Sequence, residues 1–421
     1  VRGIKGLENQ YNDLLNSYSN GLLRGERDVL SDIAFNKQSI MKPKKDGANL
    51  VLNISLKLQK NIEMILDKYK EELLADELIA TIMDSETGKI IAMASSNRFN
   101  PDFIRQEEMS SLNVRAIESV FEPGSVLKPI TMAIVLENKK VDLNELLFAY
   151  NEGKKNKRGE YKRGSYKLGK YRLRDDHQFK KNYISIEDVI VYSSNIGTLQ
   201  LAQRLSADQF VDGLENFGMT KKTGIDLPFE KTGTLPPRYR FRVGEDKGED
   251  NIFKATVSYG QGMLATFMQI LKAYSVFNNN GFIVTPQIID YLEARNGKHL
   301  KVPTDKPRQI ISTNTANEVK EMLIKTVQRG TGSLTYIDGL EIGGKTGTAQ
   351  IARGGKYQKE YISSFFGFVN GENKKYTIGV TTFNPVGRKW WHHYASHSAV
   401  RPFKEIVETM LTLGYLKKEN K

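Results

Sequence analysis

The chain has 421 residues, 39% hydrophobic and 26% charged, enough to bury a sizeable core and to fill two or three domains. It holds no cysteine, which excludes disulfides, thiolate catalysis and cysteine-ligated zinc. A net charge of +13 favours an anionic neighbour such as a membrane surface, an acidic polymer or nucleic acid.

The chain begins at Val1 rather than Met. No window approaches the ~18 apolar residues of a spanning helix, and no signal peptide is visible. It reads as a soluble fragment from which any anchor or export signal has been removed. Residues 1–46 read as an attachment. Leu7, Tyr11, Leu14, Leu15 and Tyr18 share one side of a short helix that Gly21 ends, and a basic run, Lys42 to Lys45, leads on. This is too little to form a core, so the compact domain is taken as residues 47–421.

Within it, Leu50 to Ile54 alternates like a strand. Ser55 caps a predicted helix to about Leu74, with Leu58, Ile62, Ile65, Leu66 and Tyr69 as its buried stripe. Glu77 to Met83 and Lys89 to Ala94 read as a hairpin turning at Asp84 to Gly88. At Phe121 to Asn138, breaker residues precede an apolar helical run. Pro129 fits only in its first turn, which puts Ser125 at the helix start and Lys128 one turn on. A serine hydroxyl needs a nearby base to act as a nucleophile, and a helix start favours developing negative charge. Taken alone, the pair describes equally well a capped amphipathic helix.

Gly153 to Arg174 carries ten Lys and Arg residues interleaved with Tyr161, Tyr166 and Tyr171. Basic plus aromatic residues suit single-stranded nucleic acid, but no nucleic-acid motif accompanies them, and a solvated β-ribbon turning at Gly164 and Gly169 is the preferred reading. Helices are predicted around Ile186–Arg204, interrupted by Ser193-Ser194-Asn195, and over Ala207–Phe217. A Gly- and Pro-rich loop reaches about Asp250. Further helices follow over Thr266–Phe277 and from Ser312 or Thr313 to about Gln328. Strand-like runs at Leu340–Ala352, Tyr361–Val369 and Tyr376–Phe383, turning at Gly354-Gly355 and Asn370-Gly371, form an antiparallel meander, and Val400–Leu413 is a last amphipathic helix. Strands early and late with helices between imply one mixed domain whose sheet pairs the first hairpin with the last meander.

Gly343 to Ala349, GGKTGTA, opens that meander. Glycines in a strand mark close approach of a ligand or another backbone, and a lysine among hydroxyls suits a carboxylate. With Gly339, the letters also match a phosphate-binding loop, but that loop leads into a helix, whereas Thr348 to Ile351 favours a strand. Trp391-His392-His393-Tyr394 with His397 offers metal-ligating side chains, yet tyrosine, alanine and serine interrupt them and no carboxylate lies close in sequence. No metal and no cofactor are expected.

Ser125-Val126-Leu127-Lys128, then Ser193-Ser194-Asn195, then Lys345-Thr346-Gly347-Thr348 is the ordered S-x-x-K, S-x-N, K-T-G signature of penicillin-binding proteins and serine β-lactamases. With EPGSVLKP, SSNIG, GKTGTAQ, the Asp84–Ser95 hairpin and SYGQG at Ser258 to Gly262, the chain resembles the monofunctional, class B penicillin-binding proteins from residue 48 to 415. Its start resembles the end of that family's N-terminal pedestal, and SSFFGF and VRPFKEI are closer to the septal than to the elongation type. The resemblance implies an α+β fold: an antiparallel sheet flanked by helices, plus an all-helical subdomain. It also implies a D,D-transpeptidase that cross-links peptidoglycan stem peptides and is acylated by β-lactams. Ser125 would be the nucleophile and Lys128 its base, with its pKa lowered by the second cation, Lys345. Ser193 would relay a proton and Asn195 would hold the peptide amide. Thr346 and Thr348 would bind the terminal carboxylate beside Gly347, which keeps the strand clear. The Ser125 and Thr348 N–H groups would form the oxyanion hole. Trp390, Trp391 and Tyr394 would line the groove mouth, ordinary core packing being the alternative. The family implies an inner-membrane anchor, a periplasmic catalytic domain, and contacts of the N-terminal region with a membrane-embedded glycosyltransferase and divisome proteins, with no nucleic acid. S-S-N in place of S-D-N speaks against β-lactamase activity. That activity, a D,D-carboxypeptidase and a β-lactam-sensing receptor domain are the competing readings.

Overall fold

Ser55 caps the helix Leu56–Leu73, its hydroxyl accepting from the Leu58 N–H, and Leu74 ends it in a left-handed conformation. The computed structural model describes residues 2–17, 19–30, 32–353, 356–372, 374–387 and 389–419. The chain divides into two units: Val1–Asn53 with Asp226–Pro228 and Gln287–Thr304, and Ile54–Ile225 with Phe229–Pro286 and Asp305–Lys421.

In the larger unit, the antiparallel sheet has five strands: β1 (Glu77–Asp84), β2 (Ile90–Ser95), β3 (Glu341–Arg353), β4 (Lys356–Gly371) and β5 (Lys374–Phe383). Their order is β3-β4-β5-β1-β2, so the late meander joins the early hairpin through β5 and β1, as expected. The turn read at Gly354-Gly355 lies outside the described residues. β1 and β5 are buried along nearly their whole length, and they read as continuous apolar runs because both faces are covered. Leu58, Ile62, Leu66 and Leu73 of the first helix meet Phe403, Ile406, Val407 and Met410 of the last, Val400–Thr412, in one core cluster with sheet residues such as Ile82, Phe365 and Val380. The helices Phe267–Asn278 and Thr313–Arg329 also pack against the sheet. A helical group is made by Lys128–Glu137, Asn195–Gln203, Ala207–Asn216 and Ile252–Ser258. The last of these escapes the sequence reading; Asn251 caps it at the end of the Gly/Pro loop. The basic segment is a ribbon, Ser165–Leu168 paired with Tyr171–Arg174, turning at Gly169.

In the smaller unit, the expected first helix is two short ones, Gly6–Gln10 and Asn12–Leu15, broken at Tyr11 (φ −113°, ψ 20°). Tyr18, placed on its apolar side from sequence, lies outside the described residues. The early strand, Asn49–Leu52, pairs with Ile289–Glu293, which pairs in turn with His299–Leu300. The Asp226 carboxylate accepts from the Ile288 and Ile289 N–H groups at 2.8 and 2.7 Å. The pairing of Asn49–Leu52 with Ile289–Glu293 joins segments more than two hundred residues apart, and no local pattern marks it.

Near one end of β1, the carboxylate of buried Glu77 takes a 2.6 Å hydrogen bond from Arg115, whose guanidinium lies 3.8 Å from the centroid of the Phe383 ring, and a 2.7 Å bond from Ser95. Arg115→Ala strands a charge that water cannot reach well. It is expected to cost about 2 kcal/mol, held below the usual loss for a broken buried pair by the arginine's partial exposure. Denaturant unfolding measures this loss, and Glu77→Gln in the same background should recover part of it.

Candidate active site

Ser125 lies in a tight 3₁₀ turn, Gly124–Leu127, that runs straight into the helix Lys128–Glu137 with Pro129 in its first turn. The turn is fixed from three sides. Tyr274, fully buried, donates its hydroxyl to the Val126 carbonyl at 2.7 Å. The Gly124 N–H bonds the Gly260 carbonyl at 3.0 Å. Gly347 of β3 comes so near that a Cβ there would stand 2.8 Å from Val126 Cγ1 and 3.0 Å from the Pro123 carbonyl. The missing side chain of Gly347 therefore admits the serine turn against the strand.

Lys128 is wholly buried, and its Nζ donates to the Ser193 carbonyl at 2.6 Å and to Ser193 Oγ at 3.0 Å. Burial lowers its pKa to about 8, partly opposed by the charges of Asp175 and Asp176. Lys345 is equally buried. Its Nζ donates to the Thr346 carbonyl at 3.0 Å, and burial followed by the charge of Lys128 holds its pKa well below the ordinary lysine value. The expected cause of the Lys128 shift, a neighbouring cation, is thus replaced by desolvation, and the repulsion acts on Lys345.

Ser193 is a non-glycine residue in the left-handed region, φ 61°, at the break between the helices Ile186–Val191 and Asn195–Gln203. That break comes from the Ser-Ser-Asn interruption seen in the sequence. Ser194 caps the second helix, accepting from the Gly197 N–H at 2.8 Å, and donates its hydroxyl to Asp175 at 2.8 Å. The other Asp175 oxygen accepts from the Asn195 and Ile196 N–H groups at 2.5 and 3.0 Å. Asp175 is 1% exposed, and burial raises its pKa against those bonds and the Lys128 charge. Nothing in its sequence neighbourhood marks this carboxylate; its position after the basic ribbon is the one available clue.

Ser125, Ser193, Asn195, Thr346 and Thr348 line one cleft of about 570 Å³, while Lys128 and Lys345 stand buried next to it. Gly347 faces the serine turn instead. Asn195 Nδ2 is engaged by the Arg174 carbonyl at 2.9 Å, and the Thr348 hydroxyl accepts from the Ala395 N–H at 3.1 Å. Thr331, missed in the sequence, accepts a 2.8 Å hydrogen bond from the Thr346 hydroxyl. His177, Tyr192, Tyr259 and Tyr361 were likewise missed and line the walls. Tyr394 lines the cleft with His393, which stacks on Tyr361 at 4.5 Å between centroids. Trp391 is half-buried and is not a lining residue, and the side chain of Trp390 lies outside the described residues. Among the described residues, no group of three His, Asp or Glu side chains converges as metal ligands do. β3 is the edge strand of the sheet, with Thr346 and Thr348 two residues apart on one face, a surface that an extended peptide can join.

Ser125, on its helix-start turn, thus shares one cleft with the hydroxyls of the β3 edge, and two buried amines stand next to that cleft. The penicillin binding protein transpeptidase domain model matches residues 78–408, and the chain belongs to that family. It is 31% identical over 398 residues to stage V sporulation protein D of Bacillus subtilis, covering 92% of this chain and 58% of that protein. To peptidoglycan D,D-transpeptidase FtsI of Buchnera aphidicola it is 26% identical over 423 residues, covering 99% of this chain and 67% of that one. The crystal structure of penicillin binding protein 3 from Mycobacterium tuberculosis complexed with ampicillin superposes with a TM-score of 0.80 at 26% identity, covering 100% of this chain and 86% of that one. The chain spans about half the length of several of the curated relatives it matches.

An amine whose pKa falls on folding binds fewer protons in the native than in the unfolded chain. The Lys128 penalty is therefore present in full below about pH 8 and fades as pH rises toward the ordinary lysine value. Stability is expected to rise with pH over that window, and Lys128→Met to flatten the rise, both measured by denaturant unfolding at several pH values.

Proposed function

We propose that this chain is the catalytic part of a peptidoglycan D,D-transpeptidase acting in septal cell-wall synthesis. One observation carries the reading: a lysine amine, buried and shifted to a pKa of about 8, sits within hydrogen-bond reach of Ser193 beside the cleft that Ser125 lines. Similarity to the Buchnera peptidoglycan D,D-transpeptidase FtsI and to the mycobacterial penicillin binding protein 3 crystallised with ampicillin supports it.

In this mechanism, Ser125 Oγ attacks the carbonyl between the two terminal D-alanines of a stem peptide, and Lys128 in its neutral form takes the hydroxyl proton. The oxyanion forms against the Ser125 and Thr348 N–H groups, each such donor contributing about 3 kcal/mol to the transition state. The C–N bond breaks as Ser193 passes its hydroxyl proton to the departing D-alanine amine and takes up the one held on Lys128, to which its Oγ is hydrogen-bonded. The amine of a second stem then attacks the ester and gives a proton to Lys128, and the ester C–O bond breaks as that proton returns to the Ser125 oxygen. Thr346 and Thr348 hold the terminal carboxylate on the edge of β3, near the Lys345 amine, and Asn195 orients the peptide. A β-lactam acylates the same serine and stays because its ester is shielded from water.

Residues 1–46 are proposed as the end of an N-terminal pedestal. In the whole protein, that region would connect to an inner-membrane anchor, holding this domain in the periplasm beside a membrane-embedded glycosyltransferase and divisome proteins. Among the described residues, no helix is long and apolar enough to cross a membrane.

A fluorescent penicillin should label the wild type and leave Ser125→Ala unlabelled; equal labelling refutes the nucleophile. Because the base must be neutral, the acylation rate is expected to climb with pH and level off above about pH 8. Release of D-alanine that depends on an added amine acceptor separates the transpeptidase from a carboxypeptidase or a β-lactamase.

A further inference from the structure

The basic ribbon has no part in the chemistry above, yet its second strand, Tyr171–Arg174, forms part of the cleft wall through Arg172, Leu173 and Arg174. Alternation along a strand puts Arg172 and Arg174 on one face and Leu173 on the other. Leu173 and Tyr166 pack on the cluster of Leu168, Leu199 and Ala255, so the ribbon rests on the helical group. The strand then runs directly into Asp175, and the Arg174 carbonyl holds Asn195 Nδ2. Two guanidinium groups are thereby carried on a backbone bonded to the Ser193-Ser194-Asn195 break.

The charge is unbalanced. Residues 153–174 hold ten basic side chains and one acidic one, Glu160. At the cleft itself, Asp176 sets one carboxylate against the two guanidiniums, and burial lowers the pKa of neighbouring His177, which favours its neutral form. Among the described residues, Arg172 has one ion pair, 3.7 Å to Glu152, with both side chains about half-exposed. Such a pair is weak and exchanges readily for another carboxylate. The Arg174 guanidinium makes no hydrogen bond or ion pair among the described residues.

We infer that Arg172 and Arg174 form a second anion-recognition subsite of the cleft, which takes a carboxylate carried upstream of the D-alanyl end of the peptide substrate. The subsite deepens the transpeptidase reading and rests on it for the identity of the ligand. It lies on the ribbon wall, apart from the β3 edge that takes the terminal carboxylate, so one extended peptide engages both. Planar guanidinium groups suit carboxylates through paired N–H donors. The position inside the cleft favours a peptide carboxylate over a long polyanion, which would need the exposed outer lysines of the ribbon more than these two arginines.

The test is direct binding of two synthetic peptides ending in D-alanyl-D-alanine, one with a free carboxylate upstream and one with that group amidated. Titration calorimetry on the full chain would compare wild type, Ser125→Ala and the double variant Arg172→Gln/Arg174→Gln. The free acid is expected to bind wild type and Ser125→Ala about fivefold more tightly than the amide, the double variant bringing the two within about twofold. The ratio cancels any general loss of folded protein. Equal binding of acid and amide to wild type, or a preference that survives in the double variant, overturns the subsite. So does tighter binding of a single-stranded oligonucleotide with no preference between the peptides, which would make the ribbon a polyanion surface. Failure of the transpeptidase reading shows separately, as equal penicillin labelling of wild type and Ser125→Ala, and leaves the binding comparison intact.

Discussion

Two amines with no access to water, Lys128 and Lys345, are the constraint on which the rest of the site depends. Burying one ammonium is costly, and burying two near each other adds repulsion. The fold answers in three ways. Each Nζ is supplied with acceptors, the Ser193 carbonyl and hydroxyl for one and the Thr346 carbonyl and hydroxyl for the other. Asp175 and Asp176 provide negative charge toward Lys128. The remaining cost appears as lowered pKa values, which bring an amine toward neutrality near physiological pH. What would be a defect in a structural core is thus the property that the base of the proposed mechanism would require.

Asp175 ties this electrostatic arrangement to the geometry. A single buried carboxylate accepts from the Ser194 hydroxyl and from the first two N–H groups of the helix Asn195–Gln203. It therefore anchors the break that puts Ser193, with its left-handed backbone, over Lys128. On the far side, glycines do the corresponding work. Gly347 and Gly260 allow β3 and the Ser258–Gly262 segment to approach the serine turn more closely than any side chain permits. Hydroxyl, amines and strand edge are held by contacts between elements, each element contributing one part.

Local pattern carried far in this chain. The apolar stripe and cap of Leu56–Leu73, the Asp84–Gly88 turn, the three-strand meander and the last helix all lie where period and turn residues indicate, because periodicity, caps and turn chemistry are properties of the local chain. The proline at the start of the Lys128 helix and the polar interruption at Ser193 were equally visible. The pairing of Asn49–Leu52 with Ile289–Glu293, the cap that starts Ile252–Ser258, and the early helix broken at Tyr11 were not, since each depends on partners remote in sequence or on weak local propensity.

Family, motif order and the chemical types at the site were legible in the letters, because these reside in residue identity and spacing. The burial of both lysines, the support that Asp175 gives the motif between them, the bond from Thr346 to Thr331 and the place of Arg172 and Arg174 in the cleft wall emerge once the chain is folded. Burial and dielectric are properties of everything packed around a side chain. A lysine written as a letter has an ordinary pKa until the surrounding chain removes its water.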